Sequence, residues 1–513
     1  MKNHCQKGPA LLVLVIGCLG PINLSAAVRL SALFTDHMVL QQGTTVPVWG
    51  TADPGENVKV SFAGQEKSAT ADASGRWRVE LGSLTTSEEP RELAVSSDKS
   101  PAPLKVADVL VGEVWICSGQ SNMERQLGPR SGQQPLVNWE QEAASAQYPG
   151  IRHFTVDRKP SDTPLPDTAG KWEVCSPQTV PQFTAVGYYF GRDLHKQLKR
   201  PIGLIHTSWG GTPAESWTRN EALAEKMPDV IEAQKKAVAG YAPALAQYQA
   251  DEPRLLEEWK AAVEKAKAAG QPEPRKPAPP RDPLTTQNRP SCLYNGMIHP
   301  LIPFAIRGVI WYQGESNAGR AKAYQTLFPL MISDWRKQWG LGDFPFLFVQ
   351  IAPFKNQNPE IREAQLLTWK KTPATAMVVT TDVGDANDIH PTRKEPVGAR
   401  LALAARALVY GEKLEYSGPV FESARFENGQ AVVTFSHAGG LASSDGPLRG
   451  FILAGADRRF FPASAEIKGS EVRVSSPDVP QPNAVRYGWA NVPDVNLVNA
   501  AGLPASPFRS DVE

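Results

Sequence analysis

Cysteine is scarce in this chain of 513 residues, with five in all, and Cys5 and Cys18 fall near its beginning. The other three, Cys117, Cys175 and Cys292, permit at most one intramolecular bridge and lack metal-ligand spacing. That excludes a disulfide-built scaffold and a cysteine-built zinc site. Neither sign of charge dominates: 54 basic residues face 53 acidic ones, for a formal charge of +1. Such a balance gives no electrostatic ground for a nucleic-acid or membrane-surface partner. The apolar stretch from Ala10 to Gly20 is too short to cross a bilayer as a helix, and no later segment qualifies. Length alone sets the organisation at two to four domains.

What is present begins with an export signature. Lys2, His4 and Lys7 precede the apolar stretch, and Ser25-Ala26-Ala27 offers a small-residue cleavage site, so residues 1–27 read as a secretory leader. Val15-Ile16-Gly17-Cys18 offers the competing reading, a lipobox in which Cys18 carries a lipid anchor. Either way the mature chain is secreted, periplasmic or anchored, with no membrane-spanning segment.

Most chemical information lies in Ser118-Gly119-Gln120-Ser121-Asn122-Met123, directly after the apolar run Val114-Trp115-Ile116. A serine past a buried strand, beside a glycine and flanked by the amides of Gln120 and Asn122, is presented at a sharp turn. That suits a nucleophile. The pattern is not the G-x-S-x-G elbow. Three further apolar runs end in polar loops: His206-Thr207-Ser208-Trp209-Gly210-Gly211-Thr212, Trp311-Tyr312-Gln313-Gly314-Glu315-Ser316-Asn317, and Asp382 through Pro391. In an open parallel sheet, loops at the carboxyl ends of strands converge on one site. Together they supply nucleophile, oxyanion donors, base and base-orienting acid.

Among eight histidines, only His390 combines a strand-end loop with an acid two residues earlier, so it is the expected base and Asp388 the expected acid. His206 and His299 read as structural groups. Asp382, Asp385 and Asp388 could form a calcium loop, but the run lacks the glycine and terminal glutamate that an EF-hand needs. No metal and no cofactor is expected.

Around these motifs the chain divides into four parts. After the leader, residues 28–108 carry short β-runs separated by turn residues, as in a small β-sandwich. Residues 109–412 alternate strands with amphipathic helices, with helix candidates at Ala185–Leu198, Tyr324–Trp339, Ile361–Lys371 and Glu395–Tyr410. This predicts an α/β core with a parallel sheet. Residues 219–290 interrupt it with two charged helices and a Pro-rich linker. Residues 413–513 turn β-rich again.

GQSNM at 119–123, SWGGT at 208–212, LYNGMIHPL at 293–301, WYQGESN at 311–317 and DIHP at 388–391 give the chain a family likeness. From about Leu30 to the C-terminal region it resembles the SGNH/GDSL-like sialate O-acetylesterase family, with its acetylxylan and xyloglucan esterase relatives. The resemblance implies a three-layer α/β/α core that removes O-acetyl groups from sugars without a metal. It implies an oxyanion hole built from the Ser121 N–H and Gly210 or Gly211. The family's usual G-x-N-D block appears here as Gly314-Glu315-Ser316-Asn317, so Gln313 or Asn317 is the expected side-chain donor. Glu315 either orders this loop or contacts substrate. The family's Asp-x-x-His carries Asn387 at the acid position here, which is why Asp388 takes that role. The expected partner is an O-acetylated glycan or sugar. The reading from another class, a carbohydrate-binding protein with a degenerate hydrolase core, predicts loss of Ser121, His390 or the oxyanion amides, and all are present.

Overall fold

The computed structural model describes residue 1 and residues 28–99 and 102–511. The expected leader, with Cys18, lies in residues 2–27, outside the described residues. Among the described residues no helix is long and apolar enough to cross a membrane.

A strand of 16 residues, Leu104–Gly119, organises the molecule. Its first half alternates exposed and buried positions, whereas Val109 to Gly119 is buried without interruption. The two patterns match two environments. The first half pairs with Ser87–Ser97 within a β-sandwich, and the second half runs through the middle of the main sheet between helical layers. The sandwich includes Val46–Thr51, Asn57–Phe62, Gln65–Thr70 and Arg76–Leu81. Asn57–Phe62 and Arg76–Leu81 bury every second residue, so Val58, Val60, Trp77 and Val79 point into one core.

In the main sheet the strands lie in the order Trp172–Cys175, Tyr148–Thr155, Ile202–Ser208, Leu104–Gly119, Gly308–Tyr312, Phe346–Val349, Thr375–Val378. All neighbours are parallel except the edge strand Trp172–Cys175, which is antiparallel to Tyr148–Thr155. Helices cover both faces, as the pleat shows. Trp115 meets Phe190 of Ala185–Leu198 at 5.0 Å between ring centroids, and that helix packs on Glu395–Leu408. Trp311, in register with Ser118 and therefore on the opposite face, meets Trp335 of Ala321–Trp339 at 5.8 Å. Each such aromatic, fully buried, contributes about 1.5–3 kcal/mol of hydrophobic stabilisation.

The helix predicted at Ala185–Leu198 has those bounds, with the Thr184 side chain capping its start through Gly187 N–H. The other three candidates begin two or three residues earlier, or end two residues earlier, than expected. The interruption forms two helices of very unequal length, Asn220–Lys226 and the 41-residue Pro228–Ala268, which keeps Pro243 and Pro253 inside it. The Pro-rich segment returns along the long helix, where Trp259 Nε1 donates to Pro274 O and Gln234 Nε2 to Pro283 O. The C-terminal β-region, with sheets built on Gln430–Ser436 and Phe451–Ala454, has a hydrophobic core of its own. By contrast, the sandwich and the main sheet share one.

Candidate active site

The chain crosses from one side of Leu104–Gly119 to the other between Ile202–Ser208 and Gly308–Tyr312, so a crevice opens at the end of this strand. Gly119 has φ +138, and a Cβ there would lie 2.2 Å from Tyr312 O, so only glycine fits. Gln120 N donates to Tyr312 O (2.9 Å) and Trp209 N to Gly119 O (3.1 Å), stitching the turn to both neighbouring strands. Ser121 then opens the short helix Ser121–Glu124, half-buried, at the floor of a cleft of about 500 Å³.

Ser121, His390, Gly210, Gly211, Gln120 and Glu315 all line this cleft. A Cβ on Gly210 would come 3.2 Å from the Ser121 Cβ, so the glycine pair sits directly against the serine. The Gly210 N–H is already engaged by the Glu124 carboxylate, whereas Gly211, with φ +73, has open space where a Cβ would stand.

Gln313 and Asn317 do not line the cleft. Both are buried to within 1%. Gln313 Nε2 donates to Asn317 Oδ1 (2.7 Å), and its Oε1 accepts from the Tyr324 hydroxyl (2.9 Å). Asn317 Nδ2 donates to Glu215 Oε2 (2.8 Å), while its Oδ1 also accepts from Ala214 N (2.9 Å). Their amides hold the loops beneath the site together, and the expected donor role does not fit them. Gln120 does line the cleft, and its Oε1 accepts from Ser316 N (3.2 Å).

His390 sits half-buried in the loop before Glu395–Leu408. Burial pushes its imidazole below the ordinary 6.5; the Lys394 cation acts in the same direction, Asp388 opposes it, and Arg130 and Arg125 add smaller downward pushes. The ring is therefore neutral, the form a base needs, at neutral pH. Asp388 Oδ1 lies 3.6 Å from His390 Nδ1, an ion-pair distance beyond hydrogen-bond reach, and accepts the His390 backbone N–H at 2.8 Å. Asp385 Oδ1 accepts the N–H groups of Asn387 (2.7 Å) and Asp388 (3.1 Å), and Asp382 pairs with Arg400 at 2.6 Å. Those two carboxylates shape the loop. His206 is buried, with Nε2 2.5 Å from Ser208 Oγ and its pKa pushed down to about 3 by burial, and His299 Nδ1 lies 2.9 Å from Leu165 O. Neither lines the cleft.

Several cleft residues carried no signal in the sequence. Glu124 follows Ser121 by three positions and binds both Arg130 (2.5 Å) and Arg158 (2.6 Å). The carboxylate is 3% exposed, whereas the two arginine side chains are 34% and 44% exposed beside Trp209. Beneath the cleft, Asn122 is fully buried. Its Nδ2 donates to Glu315 Oε1 (2.7 Å) and Ile389 O (3.0 Å), and its Oδ1 accepts from Lys394 Nζ. Cys117, Cys175 and Cys292 are free and buried, with Cys117 packed against Gly187.

The family model of the sialic acid-specific acetylesterase carbohydrate esterases matches residues 111–265 and 285–407. A sialate O-acetylesterase of Rattus norvegicus is 32% identical, covering 76% of this chain and 76% of its own. The human sialate O-acetylesterase is 31% identical over 80% of this chain and 77% of its own. A crystal structure of a carbohydrate acetylesterase from Xanthomonas citri superposes with a TM-score of 0.79 at 37% identity, covering 95% of this chain and 100% of that one.

Proposed function

The chain belongs to the sialic acid-specific acetylesterase family and is a carboxylic ester hydrolase; from that premise we propose that it is an exported serine esterase with an SGNH-type core that removes O-acetyl groups from sugars. Ser121 Oγ attacks the acetyl carbonyl carbon while His390 takes its proton. The tetrahedral oxyanion is held by the backbone N–H groups of Ser121 and Gly211 and by the Gln120 amide. Collapse expels the sugar oxygen, which recovers the proton from His390 and leaves Ser121 acetylated. Water, deprotonated by the same imidazole, then releases acetate and restores the serine. Asp388 acts by its charge, which favours the imidazolium formed at each step. The observation that supports this reading most is the meeting of Ser121, Gly211 and His390 in one cleft at the strand ends.

For the substrate, the cleft favours a sugar that carries a carboxylate. Arg130 and Arg158 place two part-exposed guanidinium groups there, while the two carboxylates that line it are already held, Glu124 by these arginines and Glu315 by Asn122, so the accessible charge is positive and suited to a sialate anion. The neutral acetylated xylans and xyloglucans lack that feature.

Two experiments test these readings. Ser121→Ala should lower turnover of a chromogenic acetate ester by on the order of 10⁴-fold or more with the circular dichroism unchanged. Unchanged turnover ends the serine mechanism. Acetate release should be fastest from O-acetyl sialic acid, ahead of acetylxylan and acetylated xyloglucan. Replacing Arg158 with Met should narrow that lead. Equal rates on all three substrates in the unaltered enzyme would remove the carboxylate preference.

A further inference from the structure

Lys394 is in an expensive place for a lysine. It is 2% exposed, and its burial, opposed by Glu315 and Asp388 and reinforced by Arg125, pushes the ammonium down to about 7. It also stands at the N-cap of Glu395–Leu408, where its side chain offers no cap and its charge meets the positive end of the helix. Stability alone does not account for such a residue, because a buried charge costs free energy unless it is paired.

Its contacts indicate a use. Lys394 Nζ donates to Asn122 Oδ1 and lies 5.4 Å from the centre of the Tyr312 ring. Asn122 is next to Ser121 and reaches Glu315 Oε1 at 2.7 Å and the carbonyl of Ile389 at 3.0 Å. One buried amide thus joins the serine turn, the glutamate loop and the residue preceding His390. The second oxygen of Glu315, Oε2, is buried without a hydrogen-bond partner; burial pushes this carboxyl up, opposed by its own backbone N–H, by Asn122 and by the Lys394 cation across Asn122.

We propose that Lys394 is a positioning residue, which through Asn122 and Glu315 pins the His390 loop to the Ser121 turn and keeps the imidazole in its basic form facing the serine. The inference rests on His390 being the base proposed above. The charged groups that face His390 are Lys394, Asp388, Arg130 and Arg125. Arg125 and Lys394 are both buried, but Arg125 belongs to the serine turn itself, its N–H on Ser121 O (2.9 Å), whereas Lys394 reaches that turn from the segment that follows His390. A cation nearby disfavours the imidazolium, so loss of Lys394 raises the pH at which His390 protonates.

Lys394→Met should lower kcat on a chromogenic acetate ester by roughly 10- to 100-fold, the cost of a misplaced catalytic group, with KM within about twofold. The acid limb of its pH profile should move to higher pH. Because Glu315 is then left buried without its counter-charge, the double variant Lys394→Met/Glu315→Gln, which removes both charges, is measured alongside it. A merely structural lysine changes thermal stability but leaves the acid limb in place. The inference is overturned if either folded variant keeps wild-type kcat, or loses kcat with an unmoved acid limb. Ser121→Ala serves as the control: if it retains turnover the serine reading itself fails, and if it is inactive while the lysine variants are normal only this inference fails.

Discussion

The turn that carries Ser121 and the loop that carries His390 meet in one cleft but are held in different ways. Around Ser121 the backbone does the holding. Gly119 sits where no Cβ fits, and main-chain bonds tie its neighbours to the adjoining strands. Around His390 side chains do it: Asp385 and Asp388 accept the loop's own N–H groups, Asp382 grips Arg400, and Asn122 and Lys394 reach in from below. The nucleophile is thus built into the sheet and tolerates no change of backbone. The base is attached by charges and depends on their balance. A serine has only to be presented, whereas an imidazole must gain and lose a proton, and a charged setting can tune that equilibrium.

The difference breaks most visibly in stability. Gly119→Ala should cost roughly 2–4 kcal/mol through backbone strain and the clash with Tyr312 O, read as a lowered melting temperature. A wild-type melting curve would show that the turn is not locked as described. In the His390 loop, Asp388→Asn should lower kcat on an acetate ester by roughly 10- to 100-fold with little change in KM. The 3.6 Å separation from Nδ1 makes this a smaller loss than that of a hydrogen-bonded triad acid. Asp382→Asn should cost much less, and the reverse order would hand the acid role to Asp382.

The pH profile sharpens the same contrast. Since His390 is held below 6.5, kcat/KM should stay level as pH falls to about that value and decline only below it, as the imidazole becomes protonated and ceases to be a base. An acid limb centred above 6.5 would contradict the electrostatics described for the loop. Asp385→Asn should have the smallest effect, under about 1 kcal/mol, because it weakens two exposed hydrogen bonds and leaves the charge facing His390 intact.

What was legible in the sequence follows from how local each determinant is. The helix Ala185–Leu198 carries its own cap and its own apolar face, and Ser121 directly follows the buried run that presents it. Both were readable from adjacent residues. The donors assigned to Gln313 and Asn317 rested on motif position, yet their burial is imposed by Tyr324 and Glu215, which come from other segments. Arg130 and Arg158 belong to no motif and reach the cleft only through the fold, and Lys394, also outside any motif, lies buried beneath it against Asn122. Strand Leu104–Gly119 shows a subtler case. Its change from alternating to continuous burial marks a passage from sandwich to sheet within one element, where the reading of β-runs and helices set a boundary between residues 108 and 109.

The serine's role is tested most directly by covalent capture. A fluorophosphonate incubated with the purified enzyme should abolish esterase activity with one adduct per chain, mapped by mass spectrometry to Ser121, and should label His390→Ala far more slowly. Complete inactivation with the adduct on another residue, or full activity with Ser121 labelled, would contradict the account.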